Sequence, residues 1–148
     1  MANVVKKHSI SSELAQKMVD KAVAEARELG VSENVAILDD GGNLKAFSRM
    51  DGAPILCIEI AQNKAYTALF GVPTHDLFTF IQGDPSLLAG MSTLPRIAAW
   101  GGGFPIKVDG EIVGAIGLSG APTVQNDIDC ARAALALVSD TVPAGLKK

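Results

Sequence analysis

Residues 34–50 read NVAILDDGGNLKAFSRM, and this stretch decides the fold. Two strand-length segments, Asn34–Asp39 and Asn43–Met50, stand on either side of Asp40-Gly41-Gly42. The turn residues tolerate the positive φ angles that a tight hairpin turn needs. Because so short a connection leaves no room for a crossover, the two segments are predicted to pair as antiparallel strands.

A second hairpin is predicted in the C-terminal half of the chain. Phe104–Val108 and Glu111–Leu118 flank another turn dipeptide, Asp109-Gly110. A further short strand is predicted at Ile97–Trp100, just before three consecutive glycines. Together with the first hairpin, these segments predict a five-stranded antiparallel sheet.

The spacing of apolar residues predicts several helices around this sheet. Three amphipathic helices are predicted in this way, at about 12–29, 54–70 and 123–139. Two short helical turns are predicted from their starting residues, one from Thr74 to Phe80 and one from Asp84-Pro85 to Gly90. The fold class is therefore α+β, a single domain over residues 1–148 with the sheet flanked by helices. The tail Pro143–Lys148 is expected to be frayed.

Composition excludes several classes of function. The chain has 13 basic and 16 acidic residues and no long basic run, which argues against nucleic-acid binding. We expect no membrane span and no secretory signal, because the required apolar stretches are missing. Two cysteines cannot form a disulfide framework, so a cytoplasmic location is expected. With 48% hydrophobic and only 20% charged residues, we also expect a homo-oligomer, a dimer or larger.

Gly101-Gly102-Gly103 is the first candidate site. Consecutive glycines expose backbone N–H groups to an anion, but no Lys-Ser/Thr pair follows and the segment leads into a strand, which disfavours a phosphate loop. Two interpretations stay open. The glycines either mark a strand break where side chains would clash, or form a backbone wall against which a flat or anionic small ligand lies. We favour the wall.

Arg49 and Asp51 are candidate catalytic residues. The guanidinium offers a planar fork to a carboxylate, and Asp51 can move a proton or pair with Arg49. Asp51 is also predicted to cap the start of the second predicted helix, a role compatible with the catalytic one. Asp127, in the first turns of the last helix, is interpreted as structural because the helix dipole favours a carboxylate there.

Lys64 and His75 are candidates for ligand binding. Lys64 lies among alanines and is predicted to face solvent, with a close helix contact or a pocket as the alternative. His75 is the best candidate for a haem axial ligand among the two histidines, although a lone histidine is more often a surface or capping residue. No His/Cys pair has metal-ligand spacing, so no structural metal site is expected.

Five motifs occur in a fixed order along the chain. They are Val35–Leu44 (VAILDDGGNL), Arg49–Ala53 (RMDGA), Lys64–Ala68 (KAYTA), Gly101–Ile106 (GGGFPI) and Asp109–Gly120 (DGEIVGAIGLSG). Taken together they resemble the GlcG/HbpS family, also called haem-degrading-domain-like and related to the C-terminal domain of PduO proteins. The resemblance covers nearly the whole chain. It implies a profilin-like α+β sandwich that forms dimers or larger oligomers, and some members bind haem or corrinoid-related ligands.

These observations favour a binding protein, with an enzyme as the alternative. The binding protein would hold haem, a corrinoid-type or another planar ligand in an apolar pocket, as an accessory to a catabolic pathway. The predicted walls are aromatic side chains together with the three glycines, namely Phe78, Phe80, Trp100, Phe104 and Gly101–Gly103. Arg96 and Trp100 are expected to set the choice of ligand.

The alternative is a cofactor-free isomerase, tautomerase, hydratase or lyase that acts on a small oxo- or hydroxy-acid. Arg49 would hold the substrate carboxylate, Asp51 would move a proton, and the N–H groups of Gly102 and Gly103 would stabilise an oxyanion. An accessory oligomer without a ligand is the third interpretation.

Overall fold

The structure is a computed structural model that describes residues 3–141, with the helical backbone alone for residues 139–141. The helices are α1 (Ser12–Leu29), α2 (Leu56–Ala68), α3 (Thr74–Gln82), α4 (Pro85–Met91) and α5 (Val124–Thr141). The strands are β1 (Asn34–Asp39), β2 (Leu44–Arg49), β3 (Gly103–Val108) and β4 (Glu111–Ser119). The α+β class is therefore confirmed, and the tail Pro143–Lys148 lies outside the described residues.

The strands form one antiparallel sheet in the order β2-β1-β4-β3. Both predicted hairpins are present, since β1 pairs with β2 and β3 pairs with β4. The two hairpins meet along β1 and β4, where Ala36 lies opposite Gly117. The first hairpin turn uses Gly42 at φ 84°, and the second uses Asp109 and Gly110 at φ 52° and 78°.

The prediction of a fifth strand at Ile97–Trp100 is wrong, because the sheet has four strands. The backbone of this segment bonds to threonine side chains rather than to a neighbouring strand. The Ala98 N–H donates to the Thr67 hydroxyl, and the Trp100 carbonyl accepts from the Thr74 hydroxyl. The profilin-like assignment of the sandwich stays a prediction.

Helices cover both faces of the sheet. One face packs against α1 and α5 around a core of apolar side chains that includes Met18, Val35, Ile37 and Ile116. The other face packs against α2 through small residues. Helix α3 contacts β3, which is an edge strand, and also packs against α4. The edge strand β3 is therefore where the sheet, two short helices and the triple glycine meet.

Helix α2 approaches β4 so closely that only glycine fits at position 117. A Cβ atom there would overlap the Ala61 carbonyl oxygen and lie 2.6 Å from the Ala65 nitrogen. The facing residues of α2 include Ala61 and Ala65, which are fully buried. Small side chains on both sides thus set the distance between α2 and β4.

Large apolar side chains remain on the outer surface. Ile55, Leu56 and Phe70 are 76%, 74% and 70% exposed near the two ends of α2. The predicted homo-oligomer would bury surface of this kind, and it stays a prediction. Within residues 3–141, none of the helices has the length and hydropathy that a membrane crossing requires.

Adding one methyl group at Gly117 is expected to destabilise the fold. Gly117→Ala forces α2 away from β4, which should lower the free energy of unfolding by about 1–3 kcal/mol or more in urea titrations. Gly90→Ala is the matched control, because a methyl group in that turn of α4 meets no atom within 4 Å. The control should leave the stability unchanged or raise it slightly. Equal unfolding midpoints for the two variants would show that α2 is not held at this distance.

Candidate functional site

Two buried threonines hold the segment 97–103 in place. The Thr67 hydroxyl accepts from the Ala98 N–H at 2.9 Å. Its single proton lies within reach of two carbonyls, that of Asn63 at 2.7 Å and that of Arg96 at 3.1 Å. The Thr74 hydroxyl donates to the Trp100 carbonyl at 2.6 Å and accepts from the Gly103 N–H at 3.0 Å. The segment is therefore tied to α2 at one end and to the start of α3 at the other.

The three glycines lie where α2, α5 and the sheet crowd together. A Cβ at Gly101 would lie 2.6 Å from Ile128 Cδ1, and one at Gly102 would lie 2.9 Å from the Lys64 ammonium nitrogen. Gly102 also has φ 121°, which side chains rarely adopt, and a Cβ at Gly103 would overlap the Lys64 carbonyl oxygen. The glycines thus fit the interpretation of a strand break where side chains would clash.

A pocket of about 540 Å³ opens between α3, α4 and residues 97–101. Its volume is in the range of small-molecule sites, about 300–1,000 Å³. Its walls are mainly apolar and are formed by His75, Phe78, Ile81, Leu88, Met91, Ser92, Ile97, Ala99, Trp100 and Gly101. The pocket brings together three predicted ligand-binding residues, His75, Trp100 and Gly101.

Other predicted ligand-binding residues lie behind or beside this pocket. Gly102, Gly103 and Phe104 are buried and do not belong to its lining, although the Phe104 ring supports His75 from behind. The Gly103 N–H is bonded to Thr74 and is not free for an oxyanion. Of the two phenylalanines expected in the walls on α3, Phe78 lines the pocket, whereas Phe80 is an exposed side chain outside it.

His75 presents an imidazole with an uncommitted ring nitrogen. Its side chain is 33% exposed, and its ring meets the Phe104 ring edge-on with centroids 5.6 Å apart. Nε2 lies 3.6 Å from an Asp76 carboxylate oxygen, which is longer than a hydrogen bond. Nδ1 is buried and has no hydrogen-bond partner within the described residues. Because Nδ1 has almost no accessible surface, Nε2 is the ring nitrogen that can offer its lone pair to a ligand, with the proton on Nδ1.

Lys64 does not face solvent, so that prediction is wrong, and the alternative of a close helix contact is confirmed. Its side chain is fully buried, and its ammonium donates to the Leu118 carbonyl at 2.8 Å and to Asp127 Oδ2 at 2.9 Å. It is absent from the pocket lining, but its nitrogen lies over the Trp100 ring, 5.6 Å from the centroid. Asp127 is structural, as expected, but as the partner of a buried cation and not only through the helix dipole.

A third buried group, Glu33, completes this cluster. Burial, together with the neighbouring Asp127 carboxylate, raises the pKa of Glu33 from its ordinary value of 4.5 to about 9. Glu33 is therefore a neutral acid at pH 7, and its proton can be donated to Asp127. The cluster of Lys64, Asp127 and Glu33 then holds one positive and one negative charge. Sequence reasoning missed Glu33, because nothing in its local sequence separates it from an exposed loop residue.

Arg49 and Asp51 lie at the opposite edge of the sheet. Arg49 ends the edge strand β2, and β1 and β4 separate it from Gly103 on β3. Edge strands β2 and β3 are three strand spacings apart, which corresponds to about 14 Å. Both side chains are exposed and border a separate groove with Arg27, so a single chain does not combine them with the glycines. The cap predicted for Asp51 is wrong, since α2 begins at Leu56 without a side-chain cap.

Two further side chains with chemical potential, Arg96 and Cys130, do not line the pocket. The Arg96 guanidinium stacks on Tyr66, with its carbon 3.8 Å from the ring centroid. Burial raises the pKa of the Cys130 thiol to about 12, which makes it a poor nucleophile. Within the described residues, no cluster of three or more His, Cys, Asp or Glu side chains is placed to hold a metal ion.

The protonation of Glu33 predicts a pH-dependent stability. Between about pH 4.5 and pH 9 the folded chain keeps a proton that the unfolded chain releases, so the free energy of unfolding should fall as pH rises through this range. Glu33→Gln keeps a neutral side chain at every pH and should flatten this fall. Urea titrations at about pH 5, 7 and 9 measure the slope. Glu28→Gln, on the exposed surface of α1, is the control and should keep the wild-type slope of unfolding free energy against pH. Parallel profiles for wild type and Glu33→Gln would contradict a neutral Glu33.

Comparisons with known proteins agree with the motifs and the fold. The family model described as haem degrading protein HbpS-like matches residues 10–136. An uncharacterized 15.0 kDa protein of the dhaT-dhaS intergenic region of Citrobacter freundii is 35% identical over 134 residues, 89% of this chain and 94% of that protein. Protein GlcG of Escherichia coli K12 is 33% identical over 111 residues, 74% of this chain and 81% of that protein.

A solved structure of a relative extends the likeness to three dimensions. The crystal structure of a PduOC–haem complex superposes with a TM-score of 0.80 at 32% identity, over 86% of this chain and 94% of that one. The family model spans most of the chain, so the match covers the sheet and the pocket together. The chain belongs to the HbpS-like family, and its similarity to GlcG and to PduOC agrees with the GlcG/HbpS resemblance of its motifs.

Proposed function

We propose that this protein binds haem, or a closely related flat tetrapyrrole, in the pocket between α3, α4 and residues 97–101, with His75 as the axial ligand. The observation that carries the proposal is the His75 ring: a partly exposed imidazole in the pocket wall whose Nε2 makes no hydrogen bond within the described part of the chain. A relative of similar fold is named as a haem complex, which supports the same class of ligand.

The residues of the pocket fit a haem group. A porphyrin needs an apolar cavity with at least one flat wall, and Phe78 and Trp100 supply aromatic rings in a cavity of about 540 Å³. The iron needs a donor atom, which His75 can provide, and the Met91 thioether in the same lining is a second soft donor. Bound haem would supply the redox and ligand-binding chemistry of its iron.

The side chains of this chain would bind and orient the group. The edge contact with Phe104 limits the rotation of the His75 ring, so the imidazole is held ready for the ligand. The apolar residues of α3 and α4 exclude water from one side of the site, and the Thr74 bonds fix the backbone that carries Trp100.

The pocket favours a binding protein over an enzyme. Among the residues that line it, His75 carries the only acid–base side chain, so the lining holds no acid–base pair. The second hypothesis needs Arg49, Asp51 and the glycines in one site, and a single chain separates them. We also propose an accessory role, with the ligand held for a catabolic pathway. The composition of the chain supports a cytoplasmic homo-oligomer.

Titration of the ligand-free protein with hemin tests the proposal. Wild type should give a saturable Soret shift, and His75→Ala should lose the shift or weaken the affinity by roughly tenfold or more, because the iron–nitrogen bond is lost. His8→Ala is the matched control, since the other histidine is exposed and bonded to Glu111 far from the pocket. A wild type without a saturable shift, or a His75→Ala variant with the wild-type affinity and spectrum, would contradict the proposal.

A further inference from the structure

Trp100 stands between the pocket and the buried charge cluster. Its side chain lines the pocket and is 44% exposed, so part of the indole can meet a ligand. The Lys64 ammonium lies over the same ring, 5.6 Å from its centroid. Because Lys64 is fully buried, it covers the indole from the protein interior, and the exposed part of the ring is left for the pocket.

The ammonium is itself held rigidly. It donates to the Leu118 carbonyl at the end of β4 and to Asp127 on α5, and both bonds are buried. The backbone of Gly102 passes close to the same nitrogen, where any side chain would collide with it. Because its partners on β4 and α5 fix the position of the Lys64 ammonium, the Trp100 indole is attracted to one fixed position.

We propose that Lys64 is a positioning residue for the ligand: its buried ammonium holds the Trp100 indole by a cation–π contact as the flat wall on which a planar aromatic ligand stacks. This inference rests on the proposed function in its choice of pocket, but it does not need the iron–histidine bond. It explains why a costly buried cation is placed beside the pocket without reaching into it.

The contact has an effect large enough to measure. A cation–π contact contributes about 0.5–2 kcal/mol, depending on how far it is shielded from water. If that energy orders the wall before the ligand arrives, its loss should weaken binding by roughly two- to thirtyfold. The effect must act through Trp100, so it should vanish once the indole is removed.

The probe is metal-free protoporphyrin IX, which has no iron for His75 to bind and therefore reports on the wall alone. The chain contains a single tryptophan, so quenching of its fluorescence measures occupancy beside Trp100 directly. For variants without that tryptophan, the absorbance change of the porphyrin replaces the fluorescence.

The variants form a double-mutant cycle between positions 64 and 100. Lys64→Met alone leaves Asp127 as an unpaired buried charge, so Lys64→Met/Asp127→Asn is used to remove both charges. This pair of substitutions is introduced into the wild type and into Trp100→Leu. Lys107→Met, on the exposed side of β3, is the control for loss of a lysine charge. We expect roughly two- to thirtyfold weaker porphyrin binding in the wild-type background and no further loss in Trp100→Leu.

An equal loss in both backgrounds would show that Lys64 acts on the fold alone and would overturn the inference. Nuclear Overhauser contacts between the indole protons and the Lys64 methylene groups provide a second test on the wild type, which needs no variant to fold. They should persist when the porphyrin binds, and their absence in both states would overturn the inference. A third outcome separates the two proposals. If porphyrin binding shows the coupling between positions 64 and 100 but His75→Ala binds hemin with wild-type affinity, then His75 is not the axial ligand, and the role of Lys64 in positioning Trp100 is still supported.

Discussion

A fully buried ion pair, Lys64 with Asp127, joins α2 to α5 across the end of the sheet. Removing two charges from water is costly, and the attraction between them offsets that cost only when each remaining polar atom has a partner. The Leu118 carbonyl accepts a hydrogen bond from the ammonium group, and the carboxyl proton of neutral Glu33 can be donated to Asp127. The geometry of the pair therefore fixes how closely these elements can pack.

The position of the pocket follows from this packing. Because the ammonium and the backbone of α2 fill the space beside Gly102 and Gly103, the chain can pass there only as glycine. The preceding residues are turned outward and tied to Thr67 and Thr74, which places Trp100 at the edge of the sheet. Helices α3 and α4 then close an apolar cavity against that edge. A charge cluster in the core thus shapes a binding site on the surface.

Local sequence predicted the parts of the fold that depend on local physics. The Asp-Gly turns, the apolar spacing and the helix-start residues identified both hairpins and the five helical segments, and Ser11 and Gly30 cap α1 as such residues usually do. The strand expected at 97–100 does not form, because threonines about 30 residues away take its backbone bonds. The buried state of Lys64 and the role of Glu33 escaped prediction for the same reason, since partners distant in sequence decide them. His75 and Trp100 were selected from the sequence because histidine and tryptophan are rare in this chain, and Trp100 also directly precedes the three glycines.

The central claim is that the buried cluster presents one pocket, lined by His75 and Trp100, as the site where a flat ligand binds. A crystal structure of the protein with hemin tests it most directly. The account predicts the iron at bonding distance from a ring nitrogen of His75, with the porphyrin plane against the Trp100 indole. Haem seated instead in the groove of Arg27 and Arg49, at the other edge of the sheet, would contradict it.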